Sequence, residues 1–257
     1  MPSTYAHFKF ANEVLPSLPD EARKAAGANM TLYLTGCHGP DILFYYRAIK
    51  KNPVNRLGYA MHNESALPFF ERAKALIAEG GEPSLAYTMG FITHFALDST
   101  CHGYVESERK ALGVTHTKLE VEFDRYLLNA DGKDAVRSKL CDHICADRHC
   151  AEVIAPFFSL PAREIELSLK DMRTICNLFV CPTRVKRGIM RGILKIVGDE
   201  LPDQVMLPKP DPACSESNKH MFGLFESAKD VAARLARNFT DNMNNNGLSD
   251  RFDRNYE

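Results

Sequence analysis

The sequence has no marked charge bias and no long apolar run. Its net charge is −1 with 25% charged residues, so the composition does not favour a protein that coats nucleic acid or membranes. No apolar stretch reaches the ~18 residues that span a bilayer, and the first residues lack the basic-then-apolar pattern of a secretion signal. We therefore expect a soluble cytoplasmic protein.

Strand alternation, glycine-rich phosphate loops and internal repeats are also missing from the sequence. With 257 residues, 45% of them hydrophobic, the chain is long enough for one large core. We expect an all-α, multi-helix single domain over 1–240, with a metal-site half at 1–130 and supporting helices at 131–240. One of the early helices is expected from 20 to about 34, and 241–257, rich in Asn and charge, is expected to be a flexible tail.

Eight cysteines occur without a secretion signal, which favours reduced thiols over a disulfide framework. A dense group of Cys and His lies between positions 141 and 150 and is open to interpretation as a zinc site. It lacks the CxxC pair with a distant partner that zinc sites usually show, so inert cysteines are favoured.

The most informative stretch is a helix predicted over 85–105, where His94, Asp98 and His102 recur every fourth residue. Residues four apart share one face of a helix. His94 and His102 are ~12 Å apart along the axis, too far to share an ion at bond lengths of about 2.0–2.1 Å. The row therefore serves at least two ions, with Asp98 between them. A single His in such a helix is usually a core residue whose ring nitrogens are hydrogen-bonded. Three metal-capable side chains on the same face instead favour a metal site.

A second helix with metal-ligand spacing is predicted to begin after Thr115, a candidate N-cap. His116, Glu120 and Asp124 follow at four-residue steps, and a His and a Glu one turn apart can chelate one ion. Glu122 lies about 200° round the helix from Glu120 and is expected to face solvent.

Three further candidates lie earlier in the chain. Asp41 follows a Gly-Pro turn, where it either caps the next helix or binds metal. His62 lies among apolar neighbours, and His7 is close in sequence to Pro2. Removal of Met1 before Pro2 is expected to leave a free amine near His7.

The stretch 182–198 is rich in basic residues and has no acidic residue before Asp199. It could face a phosphate-bearing ligand or an anionic surface, but a solvated basic face is favoured. The basic residues are Arg184, Lys186, Arg187, Arg191 and Lys195.

Taken in order, the candidate residues resemble the zinc-dependent phospholipase C superfamily, which includes secreted bacterial phospholipases C and fungal single-strand nucleases. The phrases at Gly36–Tyr45, His94–Ser99 and Glu122–Leu127 are similar to an intracellular branch, and the resemblance covers about residues 1 to 130. The positions that match the superfamily's metal ligands are Pro2, His7, Asp41, His62, His94, Asp98, His102, His116 and Glu120.

The resemblance implies two or three Zn²⁺ ions. It assigns Asp41, His62, His94 and Asp98 to one ion. His102, His116 and Glu120 would hold a second. The Pro2 amine, His7 and Asp98 would hold a third. Asp41 and Asp98 would be the catalytic residues, because clustered zinc activates water for phosphodiester hydrolysis.

The chain departs from the superfamily at its start. Secreted members expose a tryptophan whose amine and carbonyl bind zinc, whereas this chain has no Trp. The resemblance thus implies a phospholipase C-like hydrolase of phosphoric esters that acts on a small phosphoester or phospholipid. Peripheral membrane contact is the most that is expected, with no specific nucleic-acid binding and no obligate protein partner. The alternatives are a nuclease or nucleotidase and a non-catalytic, metal-binding helical protein.

Overall fold

The computed structural model describes residues 4–245 and 247–256. Over these residues the chain forms ten α-helices and no strand, which confirms the predicted all-α class. The α-helices are α1 (Thr4–Val14), α2 (Asp20–Ala28), α3 (Met30–Gly36), α4 (Pro53–Asn63), α5 (Leu67–Leu112), α6 (His116–Ala130), α7 (Arg148–Phe158), α8 (Ala162–Phe179), α9 (Arg184–Val197) and α10 (Ser215–Asp241). Short 3-10 helices occur at Leu15–Ser17, Gly39–Tyr45, Leu201–Gln204, Pro212–Cys214 and Asp250–Asp253.

Helix α5 is the central element of the packing and carries the His-Asp-His row. It contacts α1, α2, α3, α6, α7 and α10. A kink at Gly81, where φ is 63°, divides it into two parts. From Ser84 to Asp98 every residue is buried, as expected for a helix that is covered on all sides. The metal-capable residues His94 and Asp98 therefore lie in the core.

Helix α3 crosses α5 at very short range. A Cβ atom added at Gly90 of α5 would lie 2.0 Å from the carbonyl oxygen of Tyr33, a separation that no side chain can occupy. The missing side chain lets the two backbones touch. This contact fixes the end of α3, and the segment that follows α3 carries Asp41.

The C-terminal segment differs from the predicted flexible tail at 241–257. Helix α10 ends at Asp241, and the described residues 247–256 return to the core. Phe252 and Tyr256 are buried, and the Phe252 ring lies 4.6 Å from that of Phe70. The backbone N–H of Tyr256 donates to the carbonyl of His62. Two aromatic anchors thus outweigh the polar composition that favoured a tail.

The cysteines depart in part from the expectation of reduced thiols. Cys145 and Cys150 form a disulfide with a Cα–Cα distance of 6.2 Å, a separation that a disulfide spans without distortion of the backbone. Six cysteines are free and buried. None of the helices in the described ranges combines the length and apolar character needed to cross a bilayer.

Candidate metal centre

His7 reaches the centre because α1 is anchored by a carboxylate from another helix. The backbone N–H groups of Tyr5 and Ala6 donate to the two oxygens of Asp124, at 2.9 and 2.7 Å. An acidic group at the start of a helix satisfies free N–H groups and complements the helix dipole. Burial raises the pKa of Asp124 to about 7, although these two N–H groups act to lower it. The next residue of α1, His7, is buried, with Nε2 3.2 Å from Oδ1 of Asp98.

Asp41 lies in the 3-10 helix Gly39–Tyr45, which is pressed against the ring of His94. Gly39 has φ 49°, and a Cβ at that position would lie 2.1 Å from Cδ2 of His94. Only glycine satisfies both constraints. The Asp41 carboxylate is fully buried and caps no helix, and its Oδ1 lies 2.9 Å from Nε2 of His62.

His62, near the end of α4, is oriented by its own backbone. Its Nδ1 lies 2.8 Å from the carbonyl oxygen of Gly58, which makes Nδ1 the donor and leaves Nε2 free to face Asp41. This is the arrangement that fixes the tautomer of a metal-binding histidine. Burial lowers the pKa of His62, but the carboxylates of Asp41 and Asp98 outweigh it and raise the pKa to about 9.

Asp98 is the carboxylate around which the histidines converge. Its oxygens lie 3.2 Å from Nε2 of His94, 3.5 Å from Nε2 of His102 and 3.9 Å from Nε2 of His62, in addition to the contact with His7. Burial, the largest effect, lowers the pKa of His94 to about 4. Burial thus favours the neutral form of His94, the form that binds metal, whereas His62 has to release a proton before it can bind an ion.

A second group of metal-capable side chains lies between α5, which carries His102, and α6, which carries His116 and Glu120. Nε2 of His116 lies 3.0 Å from Oε1 of Glu120, and Nε2 of His102 lies 3.9 Å from the same oxygen. Nδ1 of His116 lies 2.8 Å from Oε1 of Glu106, so a carboxylate orients this imidazole as well. Burial lowers the pKa of His116, but Glu120 and Glu106 raise it to about 9. The side chains of His102 and His116 are partly exposed, which makes this the open side of the centre.

The donor atoms form three groups in which every candidate ligand atom lies within 4.8 Å of the others. Several buried donor atoms also have no hydrogen-bond partner in the described part of the chain. Buried polar atoms are rarely left in this way, and carboxylate and imidazole together are ligands that suit zinc. The three groups are His7, Asp41 and His94; His62, His94 and Asp98; and His102, His116 and Glu120. The unpartnered atoms include Oδ2 of Asp41, Nδ1 of His94 and Nδ1 of His7.

The residues present therefore fit a cluster of zinc ions. The structure brings together all the predicted ligands except Pro2, which lies outside the described residues. The division differs in one respect from that implied by the resemblance, because His7 approaches Asp41 and His94 as well as Asp98.

Sequence reasoning missed Glu106, Tyr256 and the pairing of His38 with His143. Glu106, which orients His116, continues the four-residue row of α5, and that spacing could have revealed it. Nε2 of His38 lies 2.7 Å from Nε2 of His143, and with Cys37 they form a further group of metal-capable atoms. Tyr256 lies 5.2 Å from the ring of His62 and 5.7 Å from that of His94. No local pattern marked these last two contributions, which depend on long-range packing.

A small cavity adjoins the open side of the centre. It measures about 20 Å³ and borders His7, Asp98, His102 and Glu120, with apolar residues around them. A polar cavity of this size holds one water molecule. The arrangement can thus place a water beside two groups of metal-capable side chains.

The family model described as zinc dependent phospholipase C matches residues 6–165. The match covers more than half of the chain and includes every candidate ligand that the structure describes. No curated protein and no solved structure matches the chain.

Proposed function

Because the chain belongs to the zinc-dependent phospholipase C family, we propose that it is a zinc-dependent, phospholipase C-like hydrolase of phosphoric esters. The observation that carries the proposal is the position of Asp98. Its carboxylate contacts histidines from both halves of the centre, so that neighbouring ions would share it. Closely spaced zinc ions lower the pKa of a bound water and stabilise charge on phosphoryl oxygens.

In this proposal His62, His94, Asp41 and Asp98 hold one ion, and the group of His102, His116 and Glu120 holds a second. His7 and Asp98 contribute ligands to a third. Glu106 and the carbonyl of Gly58 keep His116 and His62 in the orientation for binding.

Asp41 and Asp98 are the proposed catalytic residues. Both are buried beside the histidines, where a carboxylate can accept a hydrogen bond from the attacking water and fix its direction of approach. The cavity next to Asp98 provides room for that water. The surrounding apolar residues limit bulk solvent, which strengthens electrostatic interactions inside the site.

The nuclease alternative needs exposed aromatic faces on which bases can stack. Tyr45 and Tyr46, at the end of the 3-10 helix that carries Asp41, are buried. Tyr104 stacks on His220 at 4.2 Å. These contacts favour a small phosphoester or phospholipid as the substrate over a nucleic acid.

A cytoplasmic location is part of the proposal and is supported by six free, buried cysteines. The disulfide between Cys145 and Cys150 is instead typical of an oxidising compartment. Alkylation of the protein in intact cells, followed by mass spectrometry, tests the redox state of this pair. Reduced Cys145 and Cys150 would agree with a cytoplasmic location.

The experiment that tests the function measures zinc in protein purified without added metal or chelator, together with hydrolysis of phosphodiester and phospholipid probes. Asp98→Asn is the test variant, because it removes the charge that faces four imidazoles. Asp230→Asn is the matched control, because Asp230 is exposed. We expect two or three zinc ions in the wild type and in the control, and both fewer ions and loss of hydrolysis in Asp98→Asn.

Two outcomes would contradict the proposal in different ways. Zinc that is present but supports no hydrolysis of diesters, monoesters or phospholipids would indicate a non-catalytic metal-binding protein. Protein with almost no metal, and no recovery on addition of zinc, would exclude the zinc centre itself.

A further inference from the structure

Helix α9 carries an apolar face that the rest of the protein leaves uncovered. Val185, Ile189, Ile193 and Ile196 are 72%, 59%, 52% and 88% exposed. Their spacing of four, four and three residues places them on one side of the helix, and we call them the apolar stripe. Of the nine large hydrophobic residues exposed in the described ranges, five lie on α9. Met190 is the one described residue of this helix that is buried.

Basic residues flank the apolar stripe on both sides. At 100° per residue, Arg184 and Lys195 lie beyond one edge of the stripe and Lys186 beyond the other. Arg184 and Lys195 are exposed, and α9 contains no acidic residue. The nearest acidic residues along the chain, Asp199 and Glu200, come after the helix ends.

Three basic residues fasten α9 to the protein, and Lys186 does so by donating to the carbonyl of Val180. The other two lie on the side opposite the stripe. Arg187 donates to the carbonyl of Cys181, and Arg191 donates to that of Pro202 at 2.7 Å. Met190 packs with Cys181 and Val205 in a small cluster separate from the main core. The orientation of α9, stripe outward, is therefore fixed by contacts on its inner side.

The same contacts connect α9 to the metal centre. Arg191 lies 3.8 Å from Asp203, and Oγ1 of Thr115 donates to Asp203 at 2.8 Å. Thr115 caps α6 and precedes His116, which is on the open side of the centre. The apolar stripe thus belongs to an element fastened beside the start of α6.

We propose that α9 docks on the surface of an anionic phospholipid bilayer, with the apolar stripe among the acyl chains and the exposed Arg184 and Lys195 on lipid phosphates. An exposed apolar face bordered by Lys and Arg is the pattern of helices that lie in the interface of a membrane. Anionic lipid headgroups complement the uniform positive charge of α9.

A second copy of the chain is a poorer occupant of this face. Pairing two α9 helices through their stripes would bring Arg184, Lys186 and Lys195 of both copies together, and like charges at close range repel. A bilayer neutralises the same charges. This docking needs neither metal nor hydrolysis, so it stands or falls independently of the proposed activity.

Sedimentation with lipid vesicles tests the docking. The full-length protein is mixed with vesicles of phosphatidylcholine, or of equal parts phosphatidylcholine and phosphatidylserine. Ile189→Ser/Ile193→Ser removes the centre of the stripe, and Arg184→Gln/Lys195→Gln removes exposed charge. Ile49→Ser is the matched control, because Ile49 is 91% exposed and lies far from α9 in sequence. Circular dichroism confirms that the variants fold.

We expect binding to the anionic vesicles, much weaker binding to the neutral ones, and a decrease as salt is added. The stripe variant should bind at least about tenfold more weakly, since two large apolar side chains no longer leave water. The charge variant should lose its preference for anionic lipid, and Ile49→Ser should bind as the wild type does.

Absence of binding to anionic vesicles, or binding that the stripe variant leaves unchanged, would overturn the proposal. A dimer in analytical ultracentrifugation that Ile189→Ser/Ile193→Ser dissociates, without any binding to vesicles, would assign the face to a second copy instead. Binding to an acidic helical peptide but not to vesicles would assign it to a protein partner.

Discussion

Asp98 shows how much of this centre depends on individual side chains. A buried carboxylate needs several compensating donors, and Asp98 finds imidazoles on α1, α4 and α5. Burial acts to raise the pKa of Asp98, but the proximity of His94, His102 and His7 lowers it well below its usual range. Its charge is therefore present at any pH at which the histidines bind metal.

Asp124 supports the centre without belonging to any of the metal-capable groups. We expect Asp124→Asn to lower the free energy of unfolding by about 1–2 kcal/mol, because the amide NH₂ would face one of the two backbone N–H groups that now bind the carboxylate. Zinc content should fall as well, since α1 carries His7. Urea unfolding and metal analysis check both effects.

Asp230→Asn is again the control, and it should leave stability and zinc unchanged. An Asp124→Asn protein with wild-type stability and zinc would show that Asp124 does not hold α1 in place.

At the residue scale, the sequence is informative where geometry is local. The spacing of His94, Asp98 and His102 predicts that they share a face, because all three lie on one helix whose geometry is regular. The expectation that Glu122 faces solvent is wrong. Glu122 is buried, pairs with Arg125 and accepts a hydrogen bond from the backbone of Asp211. A loop from far along the chain covers it, and no helical pattern reveals that.

The 3-10 helix Gly39–Tyr45 is the element that closes the centre over His94. We expect Gly39→Ala to reduce the free energy of unfolding by about 3 kcal/mol or more, because the new Cβ meets the His94 ring at a φ that favours glycine. Zinc content should fall with it. Denaturant unfolding and metal analysis provide the measurements.

Gly132→Ala is the matched control for backbone strain. Gly132 has φ 67°, and no described atom lies within 4 Å of an added Cβ, so only the left-handed backbone contributes, at about 1 kcal/mol. If both variants lose the same stability, the contact between Gly39 and His94 has no role.

The sequence predicted the boundary of a helix correctly where a capping residue marks it. Thr115 is confirmed as an N-cap, since its side chain accepts from the backbone N–H of Lys118. The single helix expected from 20 to 34 is divided at Asn29, whose φ and ψ of −126° and 46° interrupt the helix. Asn competes for backbone hydrogen bonds, but whether it ends a helix depends on the packing of both flanking segments.

At the scale of the whole molecule, the centre is closed by the C-terminal segment. We expect Tyr256→Ala to reduce the free energy of unfolding by about 3–5 kcal/mol, because it leaves a cavity beside His62 and His94. Zinc should also pass to a chelator faster than from the wild type. Chemical denaturation and a chelator competition assay test these effects.

Tyr256→Phe is the matched control, because the Tyr256 hydroxyl has no hydrogen-bond partner in the described part of the chain. It should unfold within about 1 kcal/mol of the wild type. Equal stability of the Ala and Phe variants would show that the ring does not close the centre.

The whole-molecule arrangement was the least accessible to sequence reasoning. The helical class followed from composition and periodicity, and the candidate ligands from their spacing together with the resemblance. The packing of 247–256 did not follow, because a polar segment with two aromatic residues carries no periodic signal. Its partners on α4 and α5 lie about 160 to 190 residues earlier in the chain.

The ring of His94 stacks on His7 at 4.6 Å and lies 5.7 Å from Tyr256. During protein synthesis Tyr256 follows His7 by roughly ten to fifty seconds at about 5–20 residues per second. Before Tyr256 is synthesised, its ring cannot cover His62 and His94. The nascent chain can therefore gather its ligands, but it can enclose an ion only after Tyr256 has been synthesised and has packed beside them.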